Sequence, residues 1–101
     1  MTVDVMLSGR LRIDGYGQRH KRRDDGTFPL SLRQGSTVQD VIQGVGVPRD
    51  RVTMTMLNGR KCQPASRVRS GDRVILIPSD VAMLWRFLGM QNLGAESVFD
   101  F

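Results

Sequence analysis

The side chains able to do chemistry are few. The chain of 101 residues holds one cysteine, Cys62, and one histidine, His20. A single thiol cannot close an intrachain disulfide and cannot build a cysteine-based zinc site. A Ser–His–Asp triad would need His20, which stands in a charged, loop-like run. Cys62 follows a turn signal. A persulfide role is open there, and a half-buried thiol of no special reactivity is the more ordinary reading. Gly15-x-Gly17 lacks the third glycine and the strand-to-helix setting of a dinucleotide-binding turn. Asp24, Asp25 and Asp50 are too dispersed to suggest a metal cage. The expectation is a protein that is not an enzyme and that uses no metal or cofactor.

Charge is the next resource. Fifteen Lys and Arg stand against ten Asp and Glu, a formal net charge of +5. Such a balance favours an acidic partner, a nucleic acid or an anionic surface, or is simply a basic solvated exterior. The densest run is Arg19, Lys21, Arg22 and Arg23. It reads either as a contact for phosphate or acidic protein or as a solvated loop. Tyr16 is the only aromatic residue beside it. Stacking on single-stranded bases has little support, and nucleic acid is not the expected partner.

These residues must be positioned by one small domain. The length suits a single two-layer core and leaves too little chain to wall a deep cleft. Residues 1–5 carry no basic stretch leading into an apolar one, and no apolar run approaches the ~20 residues of a membrane span. A cytoplasmic protein is expected.

Val3, Val5 and Leu7 alternate with Asp4, Met6 and Ser8, a strand pattern. Arg10 to Ile13 reads as its extension after a break at Gly9. Asp14 to Gly26 has three glycines, the basic cluster and no apolar rhythm, and reads as an exposed, mobile connection. Phe28, Leu30 and Leu32 resume alternation. Pro29 cannot donate to a ladder and belongs at an edge or a strand start. Ser36 with Gln39 three residues on is a capping-box pattern. Val38, Val41, Ile42 and Val45 then form a helical stripe, ended by Gly44, Gly46 and Pro48. Val52 to Leu57 alternates, Asn58-Gly59 signals a tight hairpin, and Arg60 to Cys62 returns. Ser70-Gly71-Asp72 turns into Val74-Ile75-Leu76-Ile77, an apolar run suited to a central strand covered on both faces. The expected class is α+β: one main helix on a mixed sheet of four or five strands.

Three passages in this order resemble the ubiquitin-like β-grasp sulfur carriers of the MoaD/ThiS family. They are Leu30-Ser31-Leu32-Arg33-Gln34-Gly35-Ser36-Thr37-Val38, Met56-Leu57-Asn58-Gly59-Arg60, and Ser70-Gly71-Asp72-Arg73-Val74 through Pro78. The resemblance covers roughly residues 2–78 and implies a β-grasp domain over 1–78 with a C-terminal extension over 79–101. It implies a sulfur-carrier-like role in molybdopterin, tungstopterin or thiamine-type cofactor metabolism. The implied partner is an E1-like adenylyltransferase or a synthase. Carriers of that family end in Gly-Gly, because the reacting carboxylate must thread a narrow channel where a Cβ would obstruct. No Gly-Gly occurs in this sequence. As it stands the chain is expected not to perform that chemistry, unless cleavage after Gly94 or Gly89 exposes a single terminal glycine.

The extension is a second candidate region. Ser79 or Asp80 is expected to cap a helix over 80–90. Val81, Leu84, Trp85 and Leu88 fall on one stripe, widened by Met83, Phe87 and Met90, with Arg86 the only charge between Val81 and Met90. Two readings lead. The segment docks on the sheet face opposite the first helix, or it offers Leu84, Trp85, Phe87, Leu88 and Met90 to a partner; insertion into a membrane surface is the lesser third, because the polar face carries little Lys or Arg for anionic lipids. The alternative to a carrier is therefore a β-grasp interaction module that binds through its sheet and this helix.

Overall fold

The computed structural model describes residues 1–17 and 20–82. Strands β1 (Thr2–Leu7), β2 (Phe28–Ser31), β3 (Met54–Leu57), β4 (Arg60–Cys62) and β5 (Arg73–Ile77) form one sheet in the order β2-β1-β5-β3-β4. β1 and β5 run parallel and the other neighbours antiparallel. β5 is thus the central strand, as its unbroken apolar run implies. Pro29 sits in edge strand β2, where the absent N–H leaves no ladder partner wanting.

Helix α2 (Val38–Val45) crosses one face. Its stripe of Val38, Val41, Ile42 and Val45 is buried against Val3, Val5, Leu7, Phe28, Leu30, Val74 and Leu76. A helix of this length is marginal alone, so the shared core holds it. The cap lies one residue later than the Ser36 pattern suggests. Thr37 is the N-cap, and the Asp40 carboxylate accepts its backbone N–H at 2.8 Å and its hydroxyl at 3.2 Å. Ser36 instead gives its carbonyl to the Val68 N–H. Gly46, at φ 88°, closes the helix in the left-handed conformation that only glycine adopts freely. The Asn58-Gly59 turn has φ 53° and 85°, the paired positive values of a two-residue hairpin.

Two local expectations are corrected. Arg10–Ile13 is a helical turn, α1, and not an extension of β1. Gly9, at φ 54° and ψ −135°, turns the chain off the sheet, and Leu11 alone is buried while Ile13 is 76% exposed. At the other end of the described chain, residues 79–82 are helical and the Ala82 N–H donates to the Pro78 carbonyl. Pro78 therefore holds the cap position, and Ser79 and Asp80 lie in the first turn. The remainder of the expected extension, 83–101, lies outside the described residues.

Candidate functional site

Two regions carry the expected interaction chemistry: the sheet face away from α2, and the basic loop between α1 and β2.

Alternation along β1, β5 and β3 sends Met6, Ile75, Ile77, Met54 and Met56 to the face opposite α2. The register lines up Met6 with Ile75, Ile75 with Met56 and Met56 with Lys61, with Met54 beside Ile77. Met56, Ile77 and Ala82 form a second buried cluster, with Met54, Ile75 and Val81 partly buried around it. The chain leaving β5 thus folds back so that its first helical turn seats Ala82 and Val81 on this face. Gly9 permits that approach: a Cβ there would stand 2.5 Å from Val81 Cγ2 and 2.9 Å from Asp80 Oδ2. Asp4, Arg73 and Lys61 border the apolar row, by the same register.

The basic loop is folded inward more than its composition suggests. Gly17, Gly26 and Thr27 are buried, which corrects the expectation of a fully exposed connection. Phe28 is the anchor. It is wholly buried, His20 stacks on it at 4.7 Å between ring centroids, and a Cβ at Gly17 would stand 3.1 Å from its ring. Arg22 donates to the Tyr16 carbonyl at 3.1 Å and lies 6.0 Å from the Phe28 ring. Arg23 donates to Asp4 at 2.6 Å and to the Thr27 hydroxyl at 3.3 Å. The hydrogen bond with Asp4, and then its charge, push the Arg23 pKa up. Asp25 accepts the Thr27 hydroxyl at 2.7 Å and its N–H at 3.0 Å, and these bonds pull its pKa down. Lys21 is exposed, and Arg19 lies outside the described residues. Of the expected basic site, Arg22 and Arg23 are therefore committed to the fold.

Other candidates resolve simply. The Cys62 thiol donates to the Thr55 hydroxyl at 3.3 Å, which itself donates to the Cys62 carbonyl at 3.0 Å. Burial pushes the thiol pKa up, only partly opposed by that hydrogen bond, so the reactive thiolate is disfavoured. A cleft of about 640 Å³ lies between Gly15, Gly17 and His20 and the end of α2 (Gln43 to Gly46), and four of its seven lining residues are glycines. Among the described residues there is no cluster of three or more His, Cys, Asp or Glu able to hold a metal, and no helix long and apolar enough to cross a membrane. Leu84, Trp85, Phe87, Leu88, Met90, Gly89 and Gly94 all lie outside the described residues.

The family model for the Mut7-C ubiquitin domain matches residues 2–83. The chain belongs to the Mut7-C ubiquitin family. Among solved structures, this Mut7-C ubiquitin chain is similar to SAMP1, a small archaeal modifier protein from Haloferax volcanii. The identity is 15% and the TM-score 0.57, over 77% of this chain and 94% of that one. It is also similar to a putative molybdopterin converting factor, subunit 1, from Pyrococcus furiosus. There the identity is 17% and the TM-score 0.56, over 77% of this chain and 97% of that one. No curated protein sequence matches it. At these identities the solved structures show a shared fold, and the ubiquitin-like β-grasp architecture expected from the three motif passages is present.

The apolar row on the second face was within reach of sequence reading only in part. The alternation of Met54 and Met56 with Thr53 and Thr55 marks a face. Met6 looked like the polar side of β1 until β5 was placed beside it.

Proposed function

We propose that this Mut7-C ubiquitin domain acts without catalysis, as a docking module for a protein partner. The observation that supports this best is the pair of half-buried apolar residues Met6 and Ile75 on the sheet face opposite α2, beside the buried Met56 and bordered by Asp4, Arg73 and Lys61. An apolar centre with a charged rim is the usual anatomy of a protein interface. Val81 and Ala82 pack on the same face, and in this reading Leu84, Trp85, Phe87, Leu88 and Met90, which follow them in the chain, add to the docking region. A photo-crosslinking amino acid placed at Met6 or Ile75 in cells of the source organism tests it. Capture of one defined protein from these positions, and not from Gln43 on the helix side, is expected. Equal capture from both sides would refute it.

A second reading is favoured by the fold shared with SAMP1 and with the molybdopterin converting factor subunit. In it the chain is a sulfur carrier for molybdopterin, tungstopterin or thiamine-type cofactor metabolism, activated by an E1-like adenylyltransferase in the cytoplasm. It requires cleavage after Gly94 or Gly89 to free a terminal glycine. Intact mass of the natively produced protein separates the two readings. A chain ending at either glycine, with one oxygen exchanged for sulfur, supports the carrier. A chain running past Phe99 without modification supports the docking module.

A further inference from the structure

Arg33, Arg60, Arg67 and Arg69 form no cluster in the sequence, yet the fold brings all four to one end of the sheet, spread between edge strands β2 and β4. Arg33 follows the last residue of β2. Arg60 opens β4 behind the Asn58-Gly59 turn, and Arg67 and Arg69 lie on the connection from β4 to β5. Thr2 pairs with Ser31, and Leu57 pairs with both Arg60 and Val74. The Asn58 N–H donates to the Arg73 carbonyl at 2.8 Å and the Gly71 N–H to the Thr2 carbonyl at 2.9 Å. Thr37 forms a bridge with Arg67. All these segments therefore meet at the end of the sheet where β1 and β5 begin and β2 and β3 finish.

The four arginines are exposed. None of their guanidinium groups has an ion-pair or hydrogen-bond partner among the described residues. The carboxylate nearest in the chain, Asp72, is engaged by the Asn58 side-chain amide at 3.0 Å and the Arg69 backbone N–H at 2.8 Å. The N-terminal ammonium of Met1 joins the same end, bonded to the Leu32 carbonyl at 2.9 Å.

Two features select the partner. A protein interface needs an apolar anchor at its centre. The one large hydrophobic residue that stands exposed among the described residues is Ile13, beyond the opposite end of β1. A phosphate backbone needs no such anchor, only cations, and the guanidinium fork matches phosphate oxygens in pairs. We propose that this end of the sheet binds the phosphate backbone of nucleic acid, independently of sequence, through Arg33, Arg60, Arg67 and Arg69. The surface is separate from the docking face and does not depend on the docking reading.

The test is fluorescence anisotropy of labelled RNA and DNA strands of two unrelated sequences, titrated with the full chain at stepped salt. Binding independent of sequence is expected. For four phosphate contacts on a single strand, log affinity should fall against log salt with a slope of about −3. The triple variant Arg60→Glu, Arg67→Glu, Arg69→Glu should bind at least ~10-fold more weakly, with a shallower slope. A charge-matched control outside these segments (Arg12→Glu, Lys21→Glu, Arg49→Glu) should lose much less. Should the reversal variant not fold, the glutamine triple at 60, 67 and 69 serves in its place and should also flatten the slope. Equal losses in test and control would overturn the proposal, since net charge alone would then govern. Strong discrimination between the two sequences would overturn it, as would absence of binding at low salt. Displacement by polyglutamate as effective as by unlabelled strand would likewise count against phosphate recognition.

Discussion

Positive charge gathers in two places in this molecule, and the two use it in opposite ways. In the loop leading to β2, Arg22 and Arg23 are neighbours in sequence, and the fold consumes both. One holds the Tyr16 carbonyl beside the Phe28 ring, and the other joins β1 through Asp4. At one end of the sheet, Arg33, Arg60, Arg67 and Arg69 come from two connections and the start of β4 and find no partner within the described chain. A dense charge run is therefore here a piece of architecture. The dispersed set is the one left free for something outside the molecule. The difference follows from surroundings: the loop wraps a buried ring and meets Asp4 and Asp25, the latter also pairing with Arg73 at the start of β5, whereas Asp72, the carboxylate nearest Arg69 in the chain, is already engaged.

The loop is most vulnerable at Phe28. Phe28→Ala removes the ring that His20 and Gly17 pack upon and should destabilise the domain by about 3–5 kcal/mol, read by chemical denaturation. The His20 ring should lose its upfield-shifted resonances in the same variant. Thr27→Val keeps the shape of a fully buried side chain but removes the hydroxyl between Arg23 and Asp25. A loss of about 1 kcal/mol is expected, with faster amide exchange across 20–27. Asp25 sharpens the picture through pH. Its folded pKa is lowered, chiefly by the Thr27 hydroxyl and then the Thr27 N–H. Its contribution is thus present above the ordinary carboxylate range and fades as pH falls through the depressed folded value. The stability gap between the native chain and Asp25→Asn should shrink on acidification. A gap that widened would contradict the bonding seen here. The smallest effect belongs to the dispersed set: Arg60→Glu with Arg69→Glu should change stability by no more than ~0.5 kcal/mol per site, because neither side chain supports the fold. A large loss of melting temperature would mean that these arginines have structural work after all.

Much of the fold was legible because its signals are local. The stripe Val38, Val41, Ile42 and Val45 carries its own period, Asn58-Gly59 carries its own turn, and Val74 to Ile77 can only be a covered strand. Short stretches mislead where their period is too brief to be decisive. Arg10 to Ile13 alternates charged and apolar residues as a strand would, with Leu11 and Ile13 on one parity, and only the turn at Gly9 makes it helical. Thr37 and Ser36 are chemically interchangeable as caps, and the choice falls to whichever leaves Val38 facing the core while Ser36 meets Val68. The loop reads as solvated in sequence because its anchor, Phe28, lies outside it, at the start of β2.

By itself the sequence determined the ubiquitin-like class, the central place of β5 and the shortage of catalytic groups, because periodicity, turn chemistry and composition act over a few residues. Which faces and charges remain available was decided only by the tertiary structure. Pairing β5 with β1 and β3 turned Met6, Ile75 and Met56 into one apolar row, and the strand order left Arg33, Arg60, Arg67 and Arg69 unpaired along one end of the sheet. Availability depends on what lies across a strand or a turn, and no pattern along the chain encodes which distant residue will be there.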